Sequence, residues 1–531
     1  MAVDYVVVGA GSAGCVLAAR LSEGGANVVL LEAGPKDSNP MIHIPAGVRS
    51  LLYHPTVNWN YSSEPEEGSG GRRIHWPRGK TLGGSSSING MQYVRGNAAD
   101  YNGWAQRGCR GWSYDDVLPY FKKSENYKEG GDPEIRGAGG PLEVEDARTI
   151  LPLTHRFVEA AQEAGFKLNP DYNGREQEGV SYSQMTRRGR LRGSTARTYL
   201  ATAKNRPNLT IETEAVATKL LFEGKKCVGV AYRQRGQDRE IRVYREVLLS
   251  GGSINSPHLL QVSGVGPGEH LKSIGVEVQH DLPGVGGNLS DHYVVRISHR
   301  VQNALTINEM ARVPRVIPEI IRWVVKGDGA LTFGATTVMV FSRSREGLES
   351  PDLQFLFAPV SFDPERKNEL EREPGMAIAI CPGRPDSRGT IMSTGPDPLT
   401  PPAIRPNYLS AQSDLEVMLS GVKQARSIFA APAIAKFSTG ETRPGVPLET
   451  VDDMRTYAQA NGTTIYHPVG TCKMGEDPQA VVDSRLRVHG LTGLRVIDAS
   501  VMPVVTTGNT NAPTIMIAEK GAAMILEDNA G

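Results

Sequence analysis

Hydrophobic positions along this chain change their period several times, and each change marks an element. An apolar run, Tyr5–Val8, reads as a buried strand. A helical pattern comes next, with Val16, Leu17 and Leu21, and then a second apolar run, Val28–Leu31, that ends at Glu32. Residues 208–233 alternate apolar and polar positions, which predicts two strands joined by a turn at Glu223-Gly224. Residues 245–267 predict a strand, a glycine turn and a short helix, and 493–503 a further strand leading to Asp498. Segments 352–362 and 377–394 predict strands of a second sheet. In 313–327, Val313, Ile317, Ile320, Ile321 and Val324 recur at helical spacing while Arg315, Arg322 and Lys326 fall elsewhere, giving an amphipathic helix. After Asn511-Ala512, Pro513 suits the first turn of a C-terminal helix, and Ile515, Ala518, Ala522 and Ile525 share one face of that helix.

The strands of one sheet thus come from both ends and the middle of the chain, with other structure inserted between them. The expected class is α/β (α+β overall): a Rossmann-like nucleotide domain with an inserted antiparallel-sheet domain. The chain has 531 residues, more than one core usually supports, which agrees with two units.

Composition narrows the function. Basic and acidic side chains balance at 58 each, leaving no net field to attract nucleic acid or an anionic bilayer. The five cysteines are scattered, without a CxxC pair, which argues against a disulfide framework and a zinc site. The opening DYVVVGAG leaves no room for a secretory leader, and no stretch reaches the ~18 uncharged apolar residues of a spanning helix. A cytoplasmic protein is expected. A basic amphipathic helix can lie on a membrane, so peripheral contact with the inner membrane is the less favoured alternative, resting on 313–327.

Between the first two apolar runs lie Gly9, Gly11 and Gly14, spaced as GxGxxG. The first permits a tight strand-to-helix turn, the second lets the backbone approach a pyrophosphate, and the third lets helix and strand lie close. The helix N-terminus adds unpaired N–H donors and positive dipole. Glu32, 18 residues beyond Gly14, stands where a carboxylate accepts the hydroxyls of an adenosine ribose. A carboxylate there opposes a 2′-phosphate and so disfavours NADP. It does not choose between NAD and FAD.

The choice comes from longer motifs. RGKTLGGSSSINGMQYVRG (78–96) and GSINSPHLLQVSGVG (252–266) resemble the paired signatures of the glucose–methanol–choline (GMC) oxidoreductases. The similarity extends to GAGSAG…LLEAG, DLPGVGGNLSDH (281–292), YHPVGTCKMG, VIDASVMP and GNTNAPTIMIAEKGA, and is weakest from about 300 to 370. Within the family the wording is similar to aliphatic alcohol dehydrogenases and choline dehydrogenase-like enzymes. The resemblance implies FAD and alcohol oxidation.

Carried over by position, it implies that Gly9, Gly11, Ser12, Ala13, Gly14, Glu32, Ala33 and Val216 hold the ADP half of FAD. Gly83, Gly84, Ser87, Asn89 and Gly90 would line the pyrophosphate and flavin, with Asp498 and Ala499 near the ribityl chain. Asn511, Pro513 and Thr514 would open a helix whose dipole faces the flavin. Ile88 stands where some relatives have a histidine that tethers the flavin, so FAD is expected to be non-covalent. The expected division is an FAD-binding domain of 1–150, 191–294 and 456–531, and a substrate domain of 151–190 and 295–455.

His467, in TIYHPVGTCKMG, is by its own surroundings a core histidine, a metal ligand with Cys472, or a base. A metal needs more ligands than this pair supplies. The resemblance makes His467 the base and Asn509 its partner, with Tyr466 lining the substrate site. The reaction expected is hydride transfer from a primary alcohol to the flavin, giving the aldehyde, with electrons passed to a quinone or another acceptor. An oxidase using O₂ is the alternative, and a lyase or light-driven decarboxylase a more distant one.

Overall fold

The computed structural model describes residues 3–363 and 369–529. A five-stranded, all-parallel sheet runs in the order 209–212, 28–31, 5–8, 246–249, 494–496. Tyr5–Val8 is its centre and is fully enclosed, which is why that strand is a continuous apolar run rather than an alternating one. The helices Ser12–Glu23 and Asn511–Asp528 pack together, so the first and the last helix share one core.

The strands expected in 208–233 form as Ala215–Glu223 and Lys226–Gln234, turning at Gly224. The helix expected to be short after the glycine turn is three turns long, Gly252–Val262, and continues past Pro257 in its second turn, which removes one internal N–H donor.

The second sheet is antiparallel. Its order is 438–443, 293–301, 375–382, 353–358, 338–342, 179–182, and Thr463–Thr464 pairs with Tyr293 and Val294 at its edge. Side chains alternate across it. Val295, Ile297, Phe355, Phe357, Ile378 and Ile380 face a core closed by the helix Gln412–Ala430. The opposite face looks toward the nucleotide sheet across a cavity. Two seams cross the expected division: Thr463–Thr464 joins the large sheet, and Leu142–Asp146 pairs with Gln184–Arg188.

The amphipathic segment forms the helix Val316–Lys326, none of whose residues is buried. Ile317, Ile320, Ile321, Val324 and Val325, with Val313 just before them, are between 43% and 78% exposed. The helix is anchored by its polar groups: Trp323 Nε1 donates to Arg190 O at 3.1 Å and Arg322 pairs with Asp328 at 2.7 Å. Among the described residues no helix is long and apolar enough to cross a membrane.

Candidate functional site

A cavity of about 1160 Å³ runs from the parallel sheet to the large antiparallel sheet. Gly9, Gly11, Ser12, Ala13, Glu32, Ala33 and Val216 line one end. Gly84, Asn89, Gly90, Asp498, Ala499, Asn511, Thr514, Tyr466, His467 and Asn509 line the middle. Gly14, Gly83, Ser87 and Pro513 do not reach it. Gly14 acts behind the wall, where a Cβ would lie 1.8 Å from Gly9 O; Gly83 N donates to Ala10 O at 2.8 Å, and Ser87 Oγ to Leu82 O at 2.7 Å. The first of these bonds holds the glycine–serine loop against the first turn, and the second closes the loop on itself. The loop lies so close that a Cβ on Gly84 would be 2.6 Å from Gly11 Cα.

Two helix N-termini converge at this end. Neither Ser12–Glu23 nor Asn511–Asp528 has a side-chain cap on its first N–H groups. Ser12 Oγ donates to Asn511 Oδ1 at 2.7 Å, which ties the two starts together. A Cβ placed on Gly11 would meet no atom nearer than 3.9 Å, so the space beside that glycine is open. Paired dipoles, free N–H donors and an open backbone suit a pyrophosphate. Beyond them, the Glu32 carboxylate accepts from Ala10 N (3.0 Å) and Gly34 N (2.8 Å). Burial pushes its pKa up to about 7, against the pull of those N–H groups and Lys80. Asp498 accepts from Gly252 N, Ser256 Oγ and Ser500 N at 2.9, 2.6 and 2.8 Å, and burial raises its pKa too. The donor set and shape fit FAD.

At the middle, His467 and Asn509 meet: Asn509 Nδ2 lies 3.0 Å from His467 Nε2. The other ring nitrogen, Nδ1, lies 2.9 Å from His292 Nδ1, and His292 Nε2 lies 3.1 Å from the carbonyl of Gly383. These contacts set the protons. A carbonyl only accepts, so His292 carries its proton on Nε2 and offers a bare Nδ1. His467 must then donate from Nδ1, which leaves its Nε2 unprotonated and accepting from the Asn509 amide. Gln354 Nε2 donates to Asn509 Oδ1 at 3.4 Å and holds that amide the same way round. Burial first, then His292 and the Arg78 charge, keep the His467 pKa well below its ordinary value; burial likewise lowers that of His292. Both are neutral at pH 7.

The backbone of this segment is held as firmly as the ring. His467 N donates to Asp291 Oδ1 at 2.7 Å, and Asp291 Oδ2 accepts from Thr464 Oγ1 at 2.5 Å and from the Tyr408 phenol. Arg78 Nη2 donates to Tyr466 O at 2.6 Å, fixing a residue whose φ is +72°. Asp291, His292 and Arg78 were not among the residues expected from the sequence. Asp291-His292 closes DLPGVGGNLSDH, so the signal was a motif with no role attached. Cys472 lies away from the cavity, its N bonded to Ser500 O at 2.9 Å. Among the described residues no cysteine lines the cavity.

A nucleotide cradle joined to a neutral histidine–amide pair defines the class: a flavoprotein of the dehydrogenase–oxidase kind. Models of the GMC oxidoreductase family match residues 3–294 and 385–518, and the chain belongs to that family, FAD-dependent oxidoreductases acting on CH–OH donors. It is 42% identical to an alcohol dehydrogenase [acceptor] of Pseudomonas putida over 98% of this chain and 95% of that one. It is 43% identical to the mitochondrial choline dehydrogenase of Homo sapiens over 98% and 89%. Among solved structures it is similar to pyridoxine 4-oxidase from Mesorbium loti, with 30% identity, TM-score 0.89 and 98% of both chains covered.

Proposed function

We propose that this enzyme oxidises a primary alcohol to the aldehyde, with His467 as base and Asn509 as its orienting partner, and passes the electrons to a quinone. One observation carries the reading: the relay from Gly383 O through His292 fixes an unprotonated His467 Nε2 facing the cavity. The substrate hydroxyl seats between Nε2 and Asn509 Nδ2, donating to the first and accepting from the second. His467 takes the hydroxyl proton as the carbon gives up hydride, so no alkoxide builds up. The amide donor steadies the oxygen, worth about 2–4 kcal/mol if it acts like an oxyanion-hole donor. Bound FAD supplies the hydride acceptor. Tyr466 lines the substrate side.

In this reading Gly9, Gly11, Ser12, Ala13, Gly14, Glu32, Ala33 and Val216 serve the ADP half of FAD. Gly83, Gly84, Ser87, Asn89, Gly90, Asp498, Ala499, Asn511, Pro513 and Thr514 serve the pyrophosphate and flavin. Attachment is non-covalent, since Ile88 carries no nucleophile. The reading keeps the division expected from the sequence, an FAD domain of 1–150, 191–294 and 456–531 and a substrate domain of 151–190 and 295–455, crossed by the two strand seams. A quinone is favoured over O₂ because the exposed apolar helix Val316–Lys326 stands at the cavity wall, where Val316 contributes to the lining. A cytoplasmic enzyme resting on the inner membrane fits that helix.

Anaerobic mixing of the yellow holoenzyme with primary alcohols tests the reaction. Bleaching by an alcohol, abolished in His467→Ala, is expected. Bleaching that survives in His467→Ala at the original rate refutes the base. Rapid recolouring in air, with peroxide formed, would make the enzyme an oxidase.

A further inference from the structure

The cavity-facing side of the large sheet carries Arg296 and Ser298 on one strand, Leu356 and Ala358 on another, and Ala377 and Ala379 between them. Arg296 stands opposite Ala379 and Ser298 opposite Ala377, so a guanidinium rises from a floor of methyl groups. Among the described residues that guanidinium makes no hydrogen bond and no ion pair. Among the described residues Arg296 is bonded only through its own main chain, the Tyr457 phenol donating to Arg296 O at 2.7 Å. Neighbouring cations are answered: Arg443 Nη2 donates to Glu371 Oε1 at 3.1 Å and to Phe362 O at 2.6 Å. Burial pushes the Arg296 pKa below its ordinary value, and Arg443 adds to that. A cation held on an apolar wall without a counter-ion is costly, and the cost is recovered when an anion arrives.

The charge pattern of the cavity has one sense at this end. Arg78 also lines it and bonds only to carbonyls, Pro77 O and Tyr466 O, both at 2.6 Å. The carboxylates that line the cavity are engaged or stand apart: Glu32 holds its donors at the nucleotide end, Asp498 in the middle accepts from Gly252 N, Ser256 Oγ and Ser500 N, and Asp363 follows Phe362, which is 36% exposed, at the rim. Arg296 lies close to the reacting pair. Val294, on the same face, pairs with Thr463 and packs with Ile465, and Arg296 is two residues further, about 7 Å along the strand. Tyr466, beside the base, lies within electrostatic reach of Arg296, of Arg78 and of the Asp291 carboxylate, which is buried behind the cavity wall and already accepts from His467 N, Thr464 Oγ1 and the Tyr408 phenol.

We propose that Arg296, with the Ser298 hydroxyl beside it, receives a carboxylate carried by the alcohol, so that the substrate is a hydroxy acid rather than a plain alkanol or a quaternary amino alcohol. The inference rests on the reading of His467 and Asn509 as the place of the hydroxyl. Hydroxyl and carboxylate then sit at two fixed points of one cavity, and the length of the carbon chain between them selects the substrate. A quaternary ammonium meets two guanidinium charges instead.

The test compares ω-hydroxy acids from butanoate to decanoate with their methyl esters and with choline on the holoenzyme. At the best chain length, kcat/KM for the acid exceeds that for the ester by about ten- to a hundredfold, the range of a charge-assisted hydrogen bond. In Arg296→Gln that ratio falls toward one, and Arg296→Lys restores part of it. Binding of heptanoate, which has no hydroxyl, is followed by the change in flavin absorbance. It saturates in the native enzyme and is lost in Arg296→Gln, with the melting temperature reporting that the variant folds. Equal kcat/KM for acid and ester, preference for choline, or equal heptanoate binding by native enzyme and variant would overturn the proposal. An enzyme that binds heptanoate through Arg296 yet oxidises no alcohol keeps the subsite and loses the reaction assigned above.

Discussion

His292 touches neither substrate nor flavin in this reading, yet the proton arrangement of the base depends on it. Replacing it by phenylalanine keeps an aromatic ring and removes two contacts, to His467 Nδ1 (2.9 Å) and to Gly383 O (3.1 Å). In the native relay the wrong tautomer, with hydrogen on His467 Nε2, points N–H at the N–H of Asn509 and a lone pair at a lone pair of His292. Once His292 is gone the right tautomer instead buries an unsatisfied Nδ1–H, which costs about 1–3 kcal/mol. At 1.4 kcal/mol per factor of ten, the competent tautomer falls about 5- to 140-fold. A complete reversal costs about 10⁴, the figure for an enforced wrong tautomer in serine proteases. The assay is the limiting rate of flavin bleaching at saturating alcohol, followed by anaerobic stopped flow across pH. The native rate stays level as pH falls through the ordinary histidine range, because His467 remains neutral there. In His292→Phe the plateau drops, and the acid limb moves to higher pH, since His292 is one of the causes holding the His467 pKa down. His292→Gln, with one acceptor and one donor, recovers part of the rate. A merely structural role would lower the melting temperature and leave the acid limb where it was. A native plateau in His292→Phe with an unshifted limb refutes the relay.

Cofactor affinity should follow the titration of Glu32, whose pKa of about 7 means that half the carboxylates are protonated at neutral pH. Ribose hydroxyls need the ionised form, so FAD binding releases a proton and tightens about tenfold between pH 6 and pH 8; a dissociation constant that is flat over this range contradicts the assignment. Gly11 and Gly14 separate cradle from packing. Gly11→Ala places a methyl in open space and should fold with its native melting temperature but bind FAD poorly, whereas Gly14→Ala drives a Cβ to 1.8 Å from Gly9 O and should lose about 1–3 kcal/mol of stability; thermal melts and flavin titrations read both. Native enzyme should float with vesicles of anionic phospholipid and reduce quinone held in them, and the double variant Ile321→Glu/Val325→Glu should stay in the aqueous fraction, an expectation that fails if both sediment alike.

Much of this architecture was written locally. The continuous apolar runs at Tyr5–Val8 and Val28–Leu31 could only be enclosed strands, and the glycine spacing between them required a close helix. The helix beginning at Asn511 followed from Pro513 and one apolar face. His467 and Asn509 were legible through family motifs, and their contact was not, because 42 residues separate them along the chain. The relay was hidden for the same reason: His292 lies 175 residues before His467 and meets it only because Ser290 bridges Val469. Arg296 was invisible in a different way. In the sequence it is one polar residue of an alternating strand, where a solvent-facing side chain is the ordinary expectation. Only the fold turns that face of the sheet inward. The helix Gly252–Val262 ran longer than expected because it continues past Pro257, which in the sequence reads as a helix stop.

The way the parallel sheet is gathered has a consequence for how the protein is made. Two of its three inner strands, Tyr5–Val8 and Val28–Leu31, leave the ribosome first, and the next strand, Leu209–Glu212, follows 178 residues behind Leu31, roughly 10–35 s later at 5–20 residues per second. For that interval these two apolar strands have only each other as sheet partners and both edges of the pair stand open, while only Gly179–Tyr182 of the second, slower antiparallel sheet has been made. Thr463–Thr464 and Leu494–Val496 arrive almost together, so neither sheet is finished much before the other. The nascent chain is thus expected to need chaperones while those edges stand open. Slower initiation and lower growth temperature, which reduce the number of unfinished chains present at once, should raise the yield of active enzyme more than an added supply of flavin.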